Sequence, residues 1–339
     1  MSAWEVRGDT PAWTRLPRPE PQSHETLVAV AFSGVCGSDL AKLVTLPSSA
    51  PGHSWIPGHE IVGRDLGTPG APLVVIDPLV CCGTCAYCGT GDIHLCRSVI
   101  RLGWDLPGGF AEYVVAPRRN VLLLPDGVVP IQGVLADALA VAIHGVRCGL
   151  PHRPPRSRLA VIGSGPLALC TAAYAAAVGW SVTVVIRNAG RIRSVAAHID
   201  ATFATLSDIT HGEFDAVVDA ASGQDSSALD TALALVRDGG TVLVQNAYAP
   251  GVRLGQDLRG IFRRSITMTG SFSYCRRNGD GDLREALEIL RLRPTWAQWL
   301  VSARFPLRSL PAALSSVTGG EAERPLKAVL TTDEVSPHQ

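Results

Sequence analysis

The chain reads as an α/β protein in two parts: a doubly wound parallel sheet, and a β-rich domain carrying a metal lobe. Three observations predict this. Cys82, Cys85, Cys88 and Cys96 stand at C-x2-C-x2-C-x7-C, a spacing that can close four thiols on one ion. The segment Gly163-Ser-Gly165-Pro166-Leu167-Ala168 follows a short apolar run and opens an Ala-rich one. Strand-like and helix-like runs then alternate, the pattern of βαβ units.

At 339 residues the chain can hold two domains and a large core. Hydrophobic residues make up 46% and charged ones 18%, which excludes a disordered chain. The net charge is zero and no basic run stands out, so neither nucleic acid nor a membrane is the expected partner. Lys42 and Lys327 are the only lysines, which we read as a coding bias without function. The N-terminus is charged where a signal peptide would be apolar, and the most apolar stretch, 171–186, is too short to cross a bilayer. Four of the nine cysteines cluster, as metal ligands do in a reducing compartment, so a cytoplasmic location is expected.

The first 120 residues or so contain short β-branched runs at 27–31, 73–76, 112–115 and 121–124, separated by turn signals. From Arg158 the texture changes. Strands are expected at 159–162, 181–186, 216–219 and 241–245, with helices at 166–178 and 227–236. A helix at 283–292 and a strand at 327–330 end the pattern.

The four clustered thiols predict a structural zinc, because a closed tetrahedral thiolate shell leaves no open position. An iron–sulfur cluster is the rival, but its usual last spacing is shorter and a proline follows it; Cys81 reads as a bystander. Upstream, Gly34-Val-Cys36-Gly-Ser38-Asp39 and Gly58-His59-Glu60 each present a ligand type flanked by glycine. With Asp137 they form a candidate open set that leaves room for water or substrate. Zinc in such a set acts as a Lewis acid toward an alcohol. Ser38 could pass the alcohol's proton outward. Asp39 could orient His59 or simply cap a turn, and spacing alone does not choose.

The segment 163–168 fits G-x-G-x-x-[GA], whose glycines let a diphosphate approach a helix N-terminus; this is the Rossmann dinucleotide fingerprint. The acidic residue expected at the end of the next strand is absent. Ile186 stands there with Arg187 beside it, which favours NADP over NAD because a guanidinium can grip a 2′-phosphate. The alternative is a merely solvated Arg187.

These pieces in this order resemble the zinc-containing medium-chain alcohol dehydrogenase family, within its polyol and threonine dehydrogenase branch. The resemblance rests on 36–39, 58–63, the cysteine lobe, 109–113, 136–144, 163–166 and 238–240. It implies a GroES-like catalytic domain, 1–148 with 272–339, around a Rossmann insert at 149–271. It also implies catalytic zinc on Cys36 and His59, with Glu60 and Asp137 completing or approaching the shell. Asp137 stands where that branch usually has glutamate before proline, and Ala41 where many relatives carry an outer relay histidine. The compact chain and missing cofactor acid are also similar to aminocyclitol dehydrogenases of antibiotic biosynthesis.

The expected function is hydride transfer between NAD(P) and a secondary alcohol or ketone of a polyol, sugar or aminocyclitol. The competing readings are an NADPH-dependent ketone or imine reductase of a natural-product scaffold, and a non-catalytic nucleotide-binding relative. A small-molecule substrate and a homo-oligomer, dimer or tetramer, are expected. Trp55, Trp104 and Asp105 are candidates to line a pocket, with a core or lid role as the alternative.

Overall fold

The computed structural model describes residues 1–7, 10–45, 54–151, 156–188, 190, 196–221, 225–255, 257–277, 281–294, 297–319 and 324–332. They fall into two units, Met1–Asp137 with Cys275–Gln339, and Ala138–Tyr274.

The first unit is organised by Glu25–Gly34, a strand of β-branched and small residues buried along nearly its whole length. It pairs antiparallel with Glu60–Asp65, Tyr113–Pro117 and Lys327–Thr331, at the heart of a seven-stranded sheet. Val28, Val30, Ile61, Val74, Ile76, Leu102 and Val114 fill one core of this unit. The register matters for function. Gly34 lies opposite both Glu60 and Val329, so residues distant in sequence meet at one end of the sheet.

The returning tail is fastened to the cysteine lobe. The Arg276 N–H donates to the Gly91 carbonyl at 2.7 Å, and its guanidinium meets Asp77 at 2.5 Å. Arg277 pairs with Asp92 at 2.6 Å. Gly91 has φ +82°, and a Cβ there would lie 2.6 Å from the Arg276 carbonyl oxygen, so only glycine fits.

The second unit is a six-stranded sheet, parallel throughout. Its order is Thr202–Ala204, Ser181–Val185, Arg158–Ile162, Phe214–Asp219, Val236–Val244 and Thr267–Gly270. Numbered within the unit this is 3-2-1-4-5-6, the doubly wound arrangement that binds dinucleotides where the order reverses. The helix Pro166–Ala177 follows the first strand, and Ala168, Leu169, Ala172 and Ala175 are buried along it.

The first boundary falls at residue 137 rather than 148, because the helix Ala136–His144 is tied into the second unit. The Gln245 amide donates to the Val141 carbonyl at 3.0 Å and accepts from Thr171 at 3.2 Å. Leu243 packs on Gly149, where a Cβ would come within 2.4 Å of it. The second boundary falls at 274 rather than 271. The run Pro130–Gly149, rather than 171–186, is the one among the described residues long and apolar enough to cross a membrane. Of its 18-residue apolar window, 78% is buried within the protein, as in a core helix.

Candidate active site

Strand pairing assembles the open set. Cys36 follows the central strand by two residues, and His59 and Glu60 open its neighbour. One donor atom from each of Cys36, His59 and Glu60 lies within 4.8 Å of the others. The helix Gly37–Thr45 starts here and brings Ser38 and Asp39 to the same place. Ser38 Oγ donates to Cys36 Sγ at 3.3 Å.

Asp39 holds both arms together and is fully buried. One carboxylate oxygen accepts the Cys36 N–H at 3.0 Å; the other meets His59 Nδ1 at 3.1 Å. It is a turn residue and an orienter at once. A carboxylate only accepts, so Nδ1 carries the proton and Nε2 is left for a metal. Burial would lower the His59 pKa, but the Asp39 carboxylate and Cys36 outweigh it and hold the ring well above the ordinary histidine value. Cys36 and His59 offer a soft and a borderline donor, a pairing that suits zinc.

Glu60 has a partner that sequence reading missed. Lys327 Nζ donates to both Glu60 oxygens, at 2.6 and 2.7 Å, with both side chains almost completely buried. Burial opposes the lysine charge, yet Glu60 and then Cys36 prevail and hold it above its ordinary value. The carboxylate sits so close to the central strand that a Cβ on Gly34 would lie 1.8 Å from it. Lys327 lies two residues before the one opposite Gly34, a neighbour only strand register can reveal.

Asp137 is not gathered into the set of donors, which among the described residues comprises Cys36, His59 and Glu60. It stands in the first turn of the helix Ala136–His144; burial pushes the Glu60 pKa up, and the Asp137 charge adds to that. An aspartate is one methylene shorter than the glutamate the resemblance implies there.

The lobe forms a second, closed set. Sulfurs of Cys82, Cys85, Cys88 and Cys96 lie within 4.8 Å of one another. The contacts Cys85–Cys88, Cys82–Cys96 and Cys82–Cys88 measure 3.5, 3.6 and 3.8 Å. Zn–S bonds near 2.3 Å at tetrahedral angles require about 3.8 Å between sulfurs, so this cage fits zinc. The backbone and hydroxyl of Thr84 bond the Cys82 sulfur and pull its thiol down to about 5, ready as a thiolate. All nine cysteines are free thiols.

In the second unit, Gly163 has φ +132°, and a Cβ there would meet the Ala220 carbonyl oxygen at 2.9 Å and Ala168 Cβ at 3.0 Å. Gly165 precedes the first residue of the helix, Pro166, and a Cβ on it would touch nothing within 4 Å. That openness, with Leu167 half-buried and Ala168 buried against Gly163, suits a diphosphate at the helix N-terminus. Gly163 and Ala220 directly follow the two strands flanking the order reversal. Arg187 lies exposed just past its strand and acts on Asp225, lowering that carboxyl's pKa after the dominant Ser227 bonds.

Comparison with known proteins agrees with this architecture. Residues 22–126 match the alcohol dehydrogenase GroES-like domain. D-altritol 5-dehydrogenase of Agrobacterium fabrum is 30% identical over 305 residues, covering 86% of this chain and 87% of the relative. A protein described as a zinc-binding dehydrogenase from Sinorhizobium meliloti 1021, bound to NADP, superposes with TM-score 0.84 at 25% identity, over 97% of this chain and 98% of that one. Acetophenone reductase from Geotrichum candidum in complex with NAD gives 0.82 at 25% identity, over 98% of each chain. With two cysteine-based donor sets and a dinucleotide fingerprint on this fold, the chain belongs to the zinc-type medium-chain alcohol and polyol dehydrogenase family.

Proposed function

We propose that the protein is a zinc-dependent, NAD(P)-linked dehydrogenase that moves hydride between nicotinamide and a secondary alcohol or ketone of a polyol, sugar or aminocyclitol. The observation that carries this is the convergence of Cys36, His59 and Glu60, with the Ser38 hydroxyl on the Cys36 sulfur. Cys36 and His59 would hold the catalytic zinc, and Cys82, Cys85, Cys88 and Cys96 a structural one. When bound, the catalytic ion supplies Lewis acidity that lowers the pKa of an alcohol.

The chain's own groups do the rest. Ser38 would accept the alcohol's proton while handing its own hydroxyl proton on to the cofactor ribose or water, Ala41 offering no outer histidine, and Asp39 keeps the imidazole turned to present Nε2. Lys327 neutralises Glu60, so the donor set offers less negative charge than its residue types suggest. Gly163, Gly165, Pro166, Leu167 and Ala168 would receive the diphosphate. Arg187 would receive a 2′-phosphate, which favours NADP slightly over NAD. Arg187→Ala is expected to lower the NADP-to-NAD ratio of kcat/KM about tenfold, the worth of one charge-assisted hydrogen bond. An unchanged ratio would leave Arg187 as a solvated surface residue.

A polyol substrate is supported by the match to an altritol dehydrogenase. An aminocyclitol such as 2-deoxy-scyllo-inosamine is the narrowest form of the proposal. A homo-oligomer belongs to it too. The edge strand Thr267–Gly270 exposes Met268, and Leu258, Phe262 and Phe272 are exposed close by in sequence. The cytoplasmic placement rests on the free thiols. The test is nicotinamide absorbance with zinc-loaded protein, both oxidised cofactors, and a panel of aminocyclitols, hexitols, threonine and simple alcohols. Turnover on cyclic or open polyols supports the reading. Silence across the panel with cofactor still binding would favour reduction of a different scaffold.

A further inference from the structure

Both lysines of this arginine-rich chain are buried in the unit that carries the open donor set, at 8% and 2% exposure for Lys42 and Lys327. Lys327 has a partner in Glu60. Lys42 has a different environment: its Nζ donates to the Trp104 carbonyl, lies 3.7 Å from the centroid of the Trp55 ring and 5.0 Å from that of Trp104. A compact ammonium can sit against two ring faces in this way, whereas a planar guanidinium presents a broad fork. The coding bias that turned other cations into arginine is absent at these two positions, where the shape of the cation matters.

Three elements converge on this amine; two of them carry residues of the open site, and the third packs on one of those two. Lys42 lies four residues after Ser38 on one helix, so the two share a face about one turn apart. Trp55 precedes His59 by four residues on the segment leading to Glu60. The turn bearing Trp104 lies on that segment: Gly108 N–H donates to the Ile56 carbonyl and Gly109 N–H to the Gly58 carbonyl, each at 2.8 Å. Gly103 and Gly108 are both so close to the Gly58 oxygen that a Cβ would lie within 2.5 and 2.1 Å of it.

The cluster has hydrogen-bond donors to spare. An ammonium offers three protons. Among the described residues the Trp104 carbonyl is the acceptor for one, and the ring faces attract the cation without a lone pair. Trp104 Nε1 is buried without a hydrogen-bond partner among the described residues. Burial drives the Lys42 pKa down to about 8, Arg101 adding to this while Asp105 and Asp39 resist it. A buried amine with protons unspent, beside an orphan indole N–H, lacks an oxygen acceptor.

Resting on the dehydrogenase reading, we propose that Lys42, clamped between Trp55 and Trp104, is a specificity-determining residue that donates to an oxygen of the substrate about one helical turn from the reacting hydroxyl. The ligand chemistry is an oxygen acceptor distal to the reacting carbon, which a hexitol supplies as hydroxyl and a hexonate as carboxylate. A simple secondary alcohol lacks it.

Two measurements test this. The first is the ratio of kcat/KM for hexitol or hexonate over that for a simple secondary alcohol, in the wild type and in Lys42→Met and Lys42→Arg. A fall of tenfold or more in both variants supports the proposal; a larger fall for the hexonate assigns the carboxylate, an equal one the hydroxyl. A purely structural lysine would depress both substrates alike and leave the ratio unchanged, which overturns it. The second is reductive methylation of the zinc-loaded wild type near pH 8, read by mass spectrometry with the Met1 amine as internal control. Protection of Lys42 by hexitol or hexonate, and not by the simple alcohol, supports the proposal. Equal labelling with and without these ligands overturns it. Because protection needs no turnover, it distinguishes failure of the Lys42 proposal from failure of the dehydrogenase reading.

Discussion

Cys36→Ser is expected to lower turnover at least about a thousandfold and to reduce bound zinc from two ions to one per chain. Lewis-acid assistance is worth several kcal/mol of barrier, and each 1.36 kcal/mol is a factor of ten. The substitution trades a soft thiolate for a hard, protonated hydroxyl, which holds zinc poorly. It also removes the sulfur on which Ser38 rests at 3.3 Å. The backbone should survive, since Asp39 grips the main-chain N–H of Cys36 and not its side chain. Zinc content by atomic absorption, cofactor binding by fluorescence and the rate of NAD(P)H appearance check this together. Loss of rate with one zinc lost and cofactor binding kept is the expected result. Full activity with two ions retained would sink the assignment of Cys36 as ligand.

What could be read from the sequence follows the range of the interactions concerned. The cysteine lobe and the fingerprint at 163–168 are legible because their geometry is local. Glycines supply the turns within a few residues of the functional groups, and Gly163 and Gly91 prove to be places where a Cβ collides. Cys36 and His59 were legible as types, but their meeting depends on Gly34 standing opposite Glu60. Lys327 was not legible at all as a site residue. It reaches the site through a strand 267 residues away from Glu60, and nothing local marks it. Lys42 was passed over for another reason: a compositional bias explained its rarity well enough to hide its environment. Asp137 was legible as a carboxylate near the set, and its charge does reach Glu60, but whether such a residue joins the donors or only approaches them depends on side-chain length and not on spacing. The antiparallel pair Ser2–Arg7 and Thr10–Arg15 escaped notice because the second strand alternates weakly and is largely exposed. The strand Val236–Val244 starts five residues before the predicted 241, through Asp238-Gly239-Gly240, which reads as a turn. There Arg237 holds Asp215 at 2.9 Å and the pairing resumes after a bulge.

Lys327→Met is expected to destabilise the protein by about 3–5 kcal/mol, the cost of leaving a buried charge without its partner. Glu60 is 2% exposed and Lys327 is its bidentate donor, so the variant must hold a bare carboxylate in the core or protonate it. The remedy is informative. Replacing both members with apolar residues of similar volume, as in Lys327→Met with Glu60→Leu, removes the uncompensated charge and should restore most of the loss. Chemical denaturation of the zinc-loaded single and double variants measures both. A single-variant cost below about 1 kcal/mol, or a double variant as unstable as the summed singles, would show that the pair is not coupled as the geometry implies. The pH dependence follows from the sign. Lys327 is raised above its ordinary value, so its folded form binds the proton more tightly than its unfolded form. Its contribution is therefore fully present at and below about pH 10, the ordinary lysine range, and is lost only as pH climbs through the folded value. Across the neutral range Lys327 itself should therefore add no pH dependence to the stability of the wild type. In Lys327→Met the unpaired Glu60 carboxyl, pushed upward by burial and no longer pulled down by the lysine, should make stability fall as pH rises above the ordinary carboxylate range, because the folded state then holds a proton that the unfolded state releases.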